Sequence, residues 1–155
     1  MADEQQPQPV FTIEKIYLKD LSLEVPHAPQ VFLEREAPRV DIQLSTEAKP
    51  IDAGHYDVVL SVTATAVLND KTMFLVEAKQ AGVFQVRNLP TDSLDMVLSI
   101  TCPNILFPYA RETVSDAITR CGFPPFLLAP VNFEALYQQR MQQQTNQAAP
   151  SPTTH

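Results

Sequence analysis

The side chains best suited to covalent or metal chemistry are two thiols, Cys102 and Cys121, and three imidazoles, His27, His55 and His155. A catalytic thiol needs a base beside it and a third group to orient that base. The histidines fall in a turn, at the start of a strand and at the last residue, so neither thiol is given an identifiable base. Each cysteine reads instead as a small buried hydrophobe. No C-x-x-C, H-x-x-x-H or H-E-x-x-H spacing places two ligands on one side of a turn or helix, so no metal site is expected. With glycine only at Gly54, Gly82 and Gly122, neither G-x-G-x-x-G nor G-x-x-x-x-G-K-[ST] can be written, which excludes phosphate-cradling loops of those kinds. A protein that binds, without cofactor or catalysis, is the expectation. The disfavoured alternative, an enzyme using Cys102 or Cys121, would lose activity on alkylation.

The 155 residues are 45% hydrophobic and 19% charged, the composition of one globular domain rather than of a disordered chain. The net charge is -7, with no cluster of lysine and arginine. Phosphate backbones and anionic lipid would repel such a chain, so basic partners are favoured over nucleic acid or membranes. The opening MADEQQPQP has no apolar run, and no stretch of 18 consecutive apolar residues occurs. No secretory signal or membrane insertion is expected, and the location expected is cytoplasmic. Reduced thiols fit that compartment, although the spacing of the two cysteines leaves a disulfide open.

The elements that must position any site change character along the chain. Phe11 to Val25 alternates, with Phe11, Ile13, Tyr17, Leu21, Leu23 and Val25 on one side and Thr12, Glu14, Asp20, Ser22 and Glu24 on the other. Ile16 and Leu18 break the pattern, as at a bulge. Arg39 to Ser45, His55 to Leu68 and Thr72 to Val86 supply three further strands, the last two joined tightly through Asn69-Asp70-Lys71. After Pro90 the period becomes helical. A short helix capped by Thr91 or Asp92 should stop before Pro103. A second should start near Pro108, present Ala110, Val114, Ala117, Ile118 and Cys121 as its apolar stripe and end at Gly122. FPPFLLAP reads as a proline-braced hydrophobic loop, and Asn132 can cap a third helix bearing Phe133, Leu136, Tyr137, Arg140 and Met141 on one face. The expected organisation is α+β: a flexible segment 1–9, one domain 10–141 made of a four-stranded antiparallel sheet followed by two or three helices, and a disordered Gln/Pro/Thr-containing tail 142–155.

Two binding features emerge. The pleat directs Asp20, Ser22 and Glu24 to one face, where Asp57, Leu75 and Glu77 can join them, in either a solvated sheet face or an acidic docking surface with Leu75 as its apolar contact. The loop Phe123-Pro124-Pro125-Phe126-Leu127-Leu128 adds apolar area beyond what a small monomer readily hides, so an oligomer or a ligand should cover it. A small-molecule or lipid-binding α+β module is one way to use such a groove.

Cys102-Pro103-Asn104-Ile105-Leu106-Phe107-Pro108-Tyr109-Ala110-Arg111-Glu112, with Ala129-Pro130-Val131-Asn132-Phe133-Glu134-Ala135-Leu136 and Gln80-Ala81-Gly82-Val83-Phe84, resembles the bacterial protein-export chaperone family SecB. The resemblance runs from about Val10 to Tyr137. It implies a homotetramer, a dimer of dimers, that holds unfolded secretory precursor proteins without ATP and passes them to the translocase ATPase SecA. Asp20, Glu24, Leu75 and Glu77 match the family's acidic surface, which receives the basic, zinc-bearing C-terminal segment of SecA. Val76, Ala78 and Gln80 match strand positions that influence tetramer assembly and are the expected oligomer interface. Val40, Ile42 and Leu44, with Phe133, Leu136, Tyr137 and Met141, resemble the lining of the client groove, and Phe126 and Leu127 belong to a loop that resembles its movable cover. Three departures stand out: Gly122 follows Arg120 one residue later than is usual, Leu127 replaces a common asparagine, and nothing after Glu134 is acidic.

Overall fold

A computed structural model describes residues 7–148. Most of the expected flexible segment 1–9, and residues 149–155 of the expected tail, lie outside the described residues. The strands are β1 (Val10–Glu24), β2 (Arg39–Asp52), β3 (His55–Leu68) and β4 (Lys71–Arg87). They form one antiparallel sheet in the order β1-β4-β3-β2. Asn69 and Asp70, with φ of 51° and 62°, make the two-residue turn between β3 and β4, whose twist matches that of the strands. β2 does not end at Ser45 as expected but continues through Pro50 to Asp52. It is an edge strand, where a missing N–H need break no ladder bond.

β1 carries two bulges, not one. Register shifts between Ile13 and Lys15, and between Leu18 and Asp20, leave Glu14 and Lys19 as the extra residues. Cross-strand partners share a face. Ile16 opposite Gly82 and Leu18 opposite Gln80 therefore face the helices, and Tyr17 opposite Ala81 faces away. The alternation of residue types alone puts Tyr17 on the apolar side. Two parity reversals cancel at the ends of the strand, which is why simple alternation placed Phe11, Leu21 and Leu23 correctly and inverted only the middle.

The helices differ more. A segment α1 (Thr91–Met96), a π-helical turn (Val97–Thr101) and α2 (Cys102–Arg120) follow one another without interruption. The expected stop before Pro103 and the expected start at Pro108 are both wrong. Pro103 sits in the first turn of α2, directly after the wider π turn, where its missing N–H is tolerated. Pro108 lies inside α2, and the carbonyl four residues before it belongs to Asn104, which is exposed to water. Neither Thr91 nor Asp92 caps the helix; Pro90 occupies that position without a side-chain cap. At the other end Gly122, at φ 93°, closes α2 as expected. The Phe123 N–H bonds to the Ile118 carbonyl and the Gly122 N–H to that of Thr119, which satisfies the last carbonyls of the helix.

α3 (Phe133–Ala148) begins where expected, with Asn132 Oδ1 accepting the Ala135 N–H at 3.0 Å. It continues through 142–148, part of the segment expected to be disordered, because glutamine is a good helix former. The helical unit is thus two rods.

α2 lies across β3 and β4, and the core forms between them from Val58, Leu60, Val62, Val76, Phe84, Leu106, Val114 and Ile118, all fully buried. Close approach is set by Gly82. A β-carbon there would stand 2.7 Å from Phe84 Cε2 and 3.2 Å from Leu106 Cδ2. Gly82→Ala should therefore lower stability by about 1–3 kcal/mol. Its urea midpoint should fall while the slope of the transition stays unchanged.

The expected hydrophobic loop is irregular and partly anchored. Phe123 packs between Phe32 and Phe74 at ring separations of 5.3 and 5.0 Å, and Leu128 is buried.

Candidate functional site

The outer face of the sheet, away from the helices, gathers the four residues expected to dock a basic partner. Across β1 and β4, Glu24 stands opposite Leu75, Ser22 opposite Glu77 and Asp20 opposite Lys79. Leu75 and Glu77 are half-buried and Asp20 and Glu24 exposed, which makes an apolar centre with acids around it. β3 extends the patch with Thr65 beside Leu75 and Thr63 beside Glu77, and β2 adds Asp41 beside Thr65. Asp41 was not singled out in the sequence, although the alternation of Val40, Ile42 and Leu44 already turns it to the opposite face. Among the described residues, none of Asp20, Glu24, Asp41 and Glu77 is in an ion pair.

Asp57 shares this face but not this role. It stands opposite Val83, where Tyr17 donates its hydroxyl to Oδ1 at 2.6 Å and Lys19 Nζ reaches Oδ2 at 2.9 Å. Burial pushes its carboxyl up, but the hydrogen bonds from Lys19 and Tyr17 outweigh this and hold it below its usual range. The same contact raises the Tyr17 hydroxyl and the Lys19 ammonium. A depressed carboxyl contributes stability above its unfolded pKa of about 4, and that contribution is lost as pH falls through the folded value. Asp57→Asn should thus cost about 1 kcal/mol at neutral pH. Its deficit against the native protein, measured by urea unfolding, should shrink as pH drops below about 4.

On the inner face, a groove runs between the β2 edge and α3. One part, of about 270 Å³, is lined by Leu44, Thr46, Ser99, Phe133, Leu136 and Tyr137. It continues into a second part, of about 360 Å³, past Thr46, Ser99 and Arg140 to Leu98 and Met141. Five of the expected lining residues, Leu44, Phe133, Leu136, Tyr137 and Met141, therefore come together here. Four do not line it: Val40, Ile42 and Phe126 pack against the core, and Leu127 is 73% exposed. The proline-braced loop points Leu127 to solvent because Phe123 and Leu128 take the inward positions. α3 is held by Tyr137 donating to Asp95 Oδ2 at 2.7 Å, Arg140 donating to Ser99 Oγ at 2.9 Å, and Phe133 against Phe107. The π turn supplies Ser99, a contribution no periodicity in the sequence displays.

The three residues expected at an oligomer interface are placed otherwise. Val76 and Ala78 are fully buried and Gln80 is 4% exposed, all beneath α2, so they present no surface to another copy. A different apolar surface is open. Phe11, Ile13, Leu18, Leu21 and Leu23 of β1 face the helix side of the sheet and are each about 40–45% exposed, because α2 covers β3 and β4 and stops short of this edge.

Both thiols are ill suited to chemistry. Burial pushes Cys102 up to about 12 and raises Cys121 as well, and both are free. His55 is engaged by Asp52, 2.6 Å from Nδ1, and by Glu14, 3.9 Å from Nε2. Among the described residues no cluster of His, Cys, Asp and Glu could hold a metal ion, and no helix is long and apolar enough to cross a membrane.

Comparison with known proteins identifies the family. Residues 4–144 match the family model described as preprotein translocase subunit SecB. The protein-export protein SecB of Methylobacillus flagellatus is 58% identical over 159 aligned residues, covering all of both chains. That of Chromobacterium violaceum is 60% identical, covering 93% of this chain and 96% of its own. A Mycobacterium tuberculosis SecB-like chaperone, solved in complex with an antitoxin peptide, shares the fold with a TM-score of 0.65 at 20% identity over 78% of this chain and 90% of that one. The four-stranded antiparallel sheet, the helices that follow it and the extent of the sequence match place this chain in the SecB protein-export family.

Proposed function

We propose that the protein is an ATP-independent holdase that keeps unfolded secretory precursors competent for export and delivers them to SecA. The observation that carries this reading is the separation of two unlike surfaces by one sheet: an acidic patch around Leu75 on the outer face and, on the inner, a groove along β2 and α3 in which Leu44, Phe133, Leu136 and Met141 sit among polar side chains. Unfolded chains expose apolar side chains, whose burial contributes roughly 25 cal/mol per Å² without requiring a particular sequence. Folded proteins offer little, because those side chains are already inside. Asp20, Glu24, Leu75 and Glu77, joined by Asp41, would receive the basic C-terminal segment of SecA while Leu44, Phe133, Leu136, Tyr137 and Met141 hold the client.

The exposed β1 stripe suits burial against a second copy, and a tetramer assembled as a dimer of dimers would offer several grooves to one long client. Several weak contacts on one chain then act as avidity. No nucleotide is needed for holding, and release falls to the docked ATPase. This activity belongs in the cytoplasm, where precursors wait and both thiols stay reduced.

The test is the affinity of the purified protein for a fluorescent secretory precursor kept unfolded by mutation, against the same precursor folded. Binding at least 100-fold tighter to the unfolded form, unchanged by ATP, is expected. Equal affinity for both, or a discrete small ligand co-purifying in place of any polypeptide affinity, would favour a ligand-binding module instead.

A further inference from the structure

Which face of the sheet receives the acids of β1 depends on one extra residue. With Ile16 and Leu18 directed toward the helices, unbroken alternation would turn Asp20, Ser22 and Glu24 the same way and send Leu21 and Leu23 outward. Lys19 prevents this. As the extra residue of the second bulge it restores the register, so that Asp20 meets Lys79, Ser22 meets Glu77 and Glu24 meets Leu75 on the outer face. The orientation of the acidic row and that of the Leu21/Leu23 pair are therefore one choice.

Side chains grip this bulge from both sides of the sheet. On the helix side Gln80, nearly fully buried, donates Nε2 to the Tyr17 carbonyl at 3.1 Å and accepts on Oε1 from the Thr113 hydroxyl of α2 at 3.2 Å. On the outer side the Tyr17 hydroxyl and the Lys19 ammonium both bind Asp57 of β3. Gln80 is the one polar residue in a row otherwise made of Phe74, Val76, Ala78, Gly82, Phe84 and Val86. A buried polar group persists where its hydrogen bonds are satisfied, and these are spent on the backbone beside the bulge. Being central strands, β3 and β4 give the edge strand a fixed reference.

We propose that Gln80 and Asp57 are positioning residues that clamp the Lys19 bulge of β1 and thereby fix Asp20 and Glu24 on the outer docking face and Leu21 and Leu23 on the helix face. The inference deepens the docking reading given above and rests on it for its consequence. The apolar stripe of β1 turns with the same register, so loss of the clamp would reach the proposed assembly surface as well.

The experiment uses the full chain with Gln80→Met, Asp57→Asn and the double variant, read by hydrogen exchange and by docking to the isolated SecA C-terminal segment. Ile118→Val, a buried α2 change outside the Gln80 and Asp57 hydrogen bonds, controls for general loss of stability, and Glu77→Lys reports on docking itself. Amide exchange confined to 15–24 should quicken at least tenfold in Gln80→Met, more than additively with Asp57→Asn, while Ile118→Val leaves that segment protected. Docking by Gln80→Met should weaken about tenfold, and because Leu21 and Leu23 turn with the same register, unfolded-client affinity should fall only as far as the mass in solution falls. Exchange raised evenly over the whole sheet, or strictly additive between the two sites, overturns the clamp whatever docking does. Should Glu77→Lys abolish docking while Gln80→Met leaves it unchanged, the clamp is overturned as the device that presents the acids. Should Glu77→Lys itself leave docking unchanged, the docking reading fails, and a local, non-additive rise in exchange still supports the clamp.

Discussion

Replacing Glu77 with lysine should reduce SecA docking at least thirtyfold while leaving affinity for an unfolded precursor within twofold. Glu77 is half-buried between Ser22 and Thr63, one row from Leu75, so a charge placed there would lie inside the proposed contact rather than at its rim. Interactions of unit charges about 4 Å apart run from about 1 kcal/mol in water to about 4 at a protein surface. Reversing the sign both removes an attraction for a basic segment and adds a repulsion. About 2 kcal/mol lost is the thirtyfold change, at about 1.4 kcal/mol per factor of ten. The groove lies on the opposite side of the sheet, beyond the buried row from Phe74 to Val86, and has no direct contact with this position. Isothermal titration against the SecA segment and fluorescence titration of the precursor read the two activities separately. Equal loss of both would contradict two independent surfaces. The effect should also diminish in high salt, as exposed charges are screened within about 10 Å at 0.1 M.

A second large effect is expected at the open edge. Leu21→Lys combined with Leu23→Lys should lower the mass in solution from the four chains proposed above to one or two. Both side chains are about 40% exposed in the single chain, so the fold itself loses little when they become polar. In a symmetric contact each substitution recurs on the partner, and four ammonium groups would be forced against apolar surface or leave it unburied. The urea midpoint measured at low protein concentration should move little, whereas the oligomer should vanish. Precursor affinity should fall with it by a factor of ten to a hundred, because one groove lacks the avidity of several. A variant that still weighs four chains would place the assembly surface elsewhere.

Strong, uninterrupted patterns were readable from residue types. The alternation of β3 and β4, the turn at Asn69-Asp70, the buried stripe of α2, its end at Gly122 and the Asn132 cap all have local causes that act within a few residues. The grouping of Asp20, Glu24, Leu75 and Glu77 followed from the same parity, since the two bulges of β1 cancel at its ends. Tyr17 was misplaced for the complementary reason: a bulge is fixed by Gln80 and Asp57, more than 35 residues away in sequence, and leaves only a broken alternation behind. Proline misled twice. Pro103 and Pro108 read as boundaries, yet the π turn and the solvent beside Asn104 let one helix contain both. Val76, Ala78 and Gln80 were carried over as an interface although pleat parity already put them under a helix. Leu127 and Val40 were placed at the groove by resemblance, yet Val40 packs against the core and Leu127 turns to solvent, a choice set by packing that no spacing encodes.

The most direct test of the account is light-scattering mass on a sizing column, with and without a secretory precursor kept from folding. A mass near four chains that increases by one precursor, and by nothing when the precursor is folded, is the predicted result. A monomer or dimer indifferent to the unfolded precursor would contradict it.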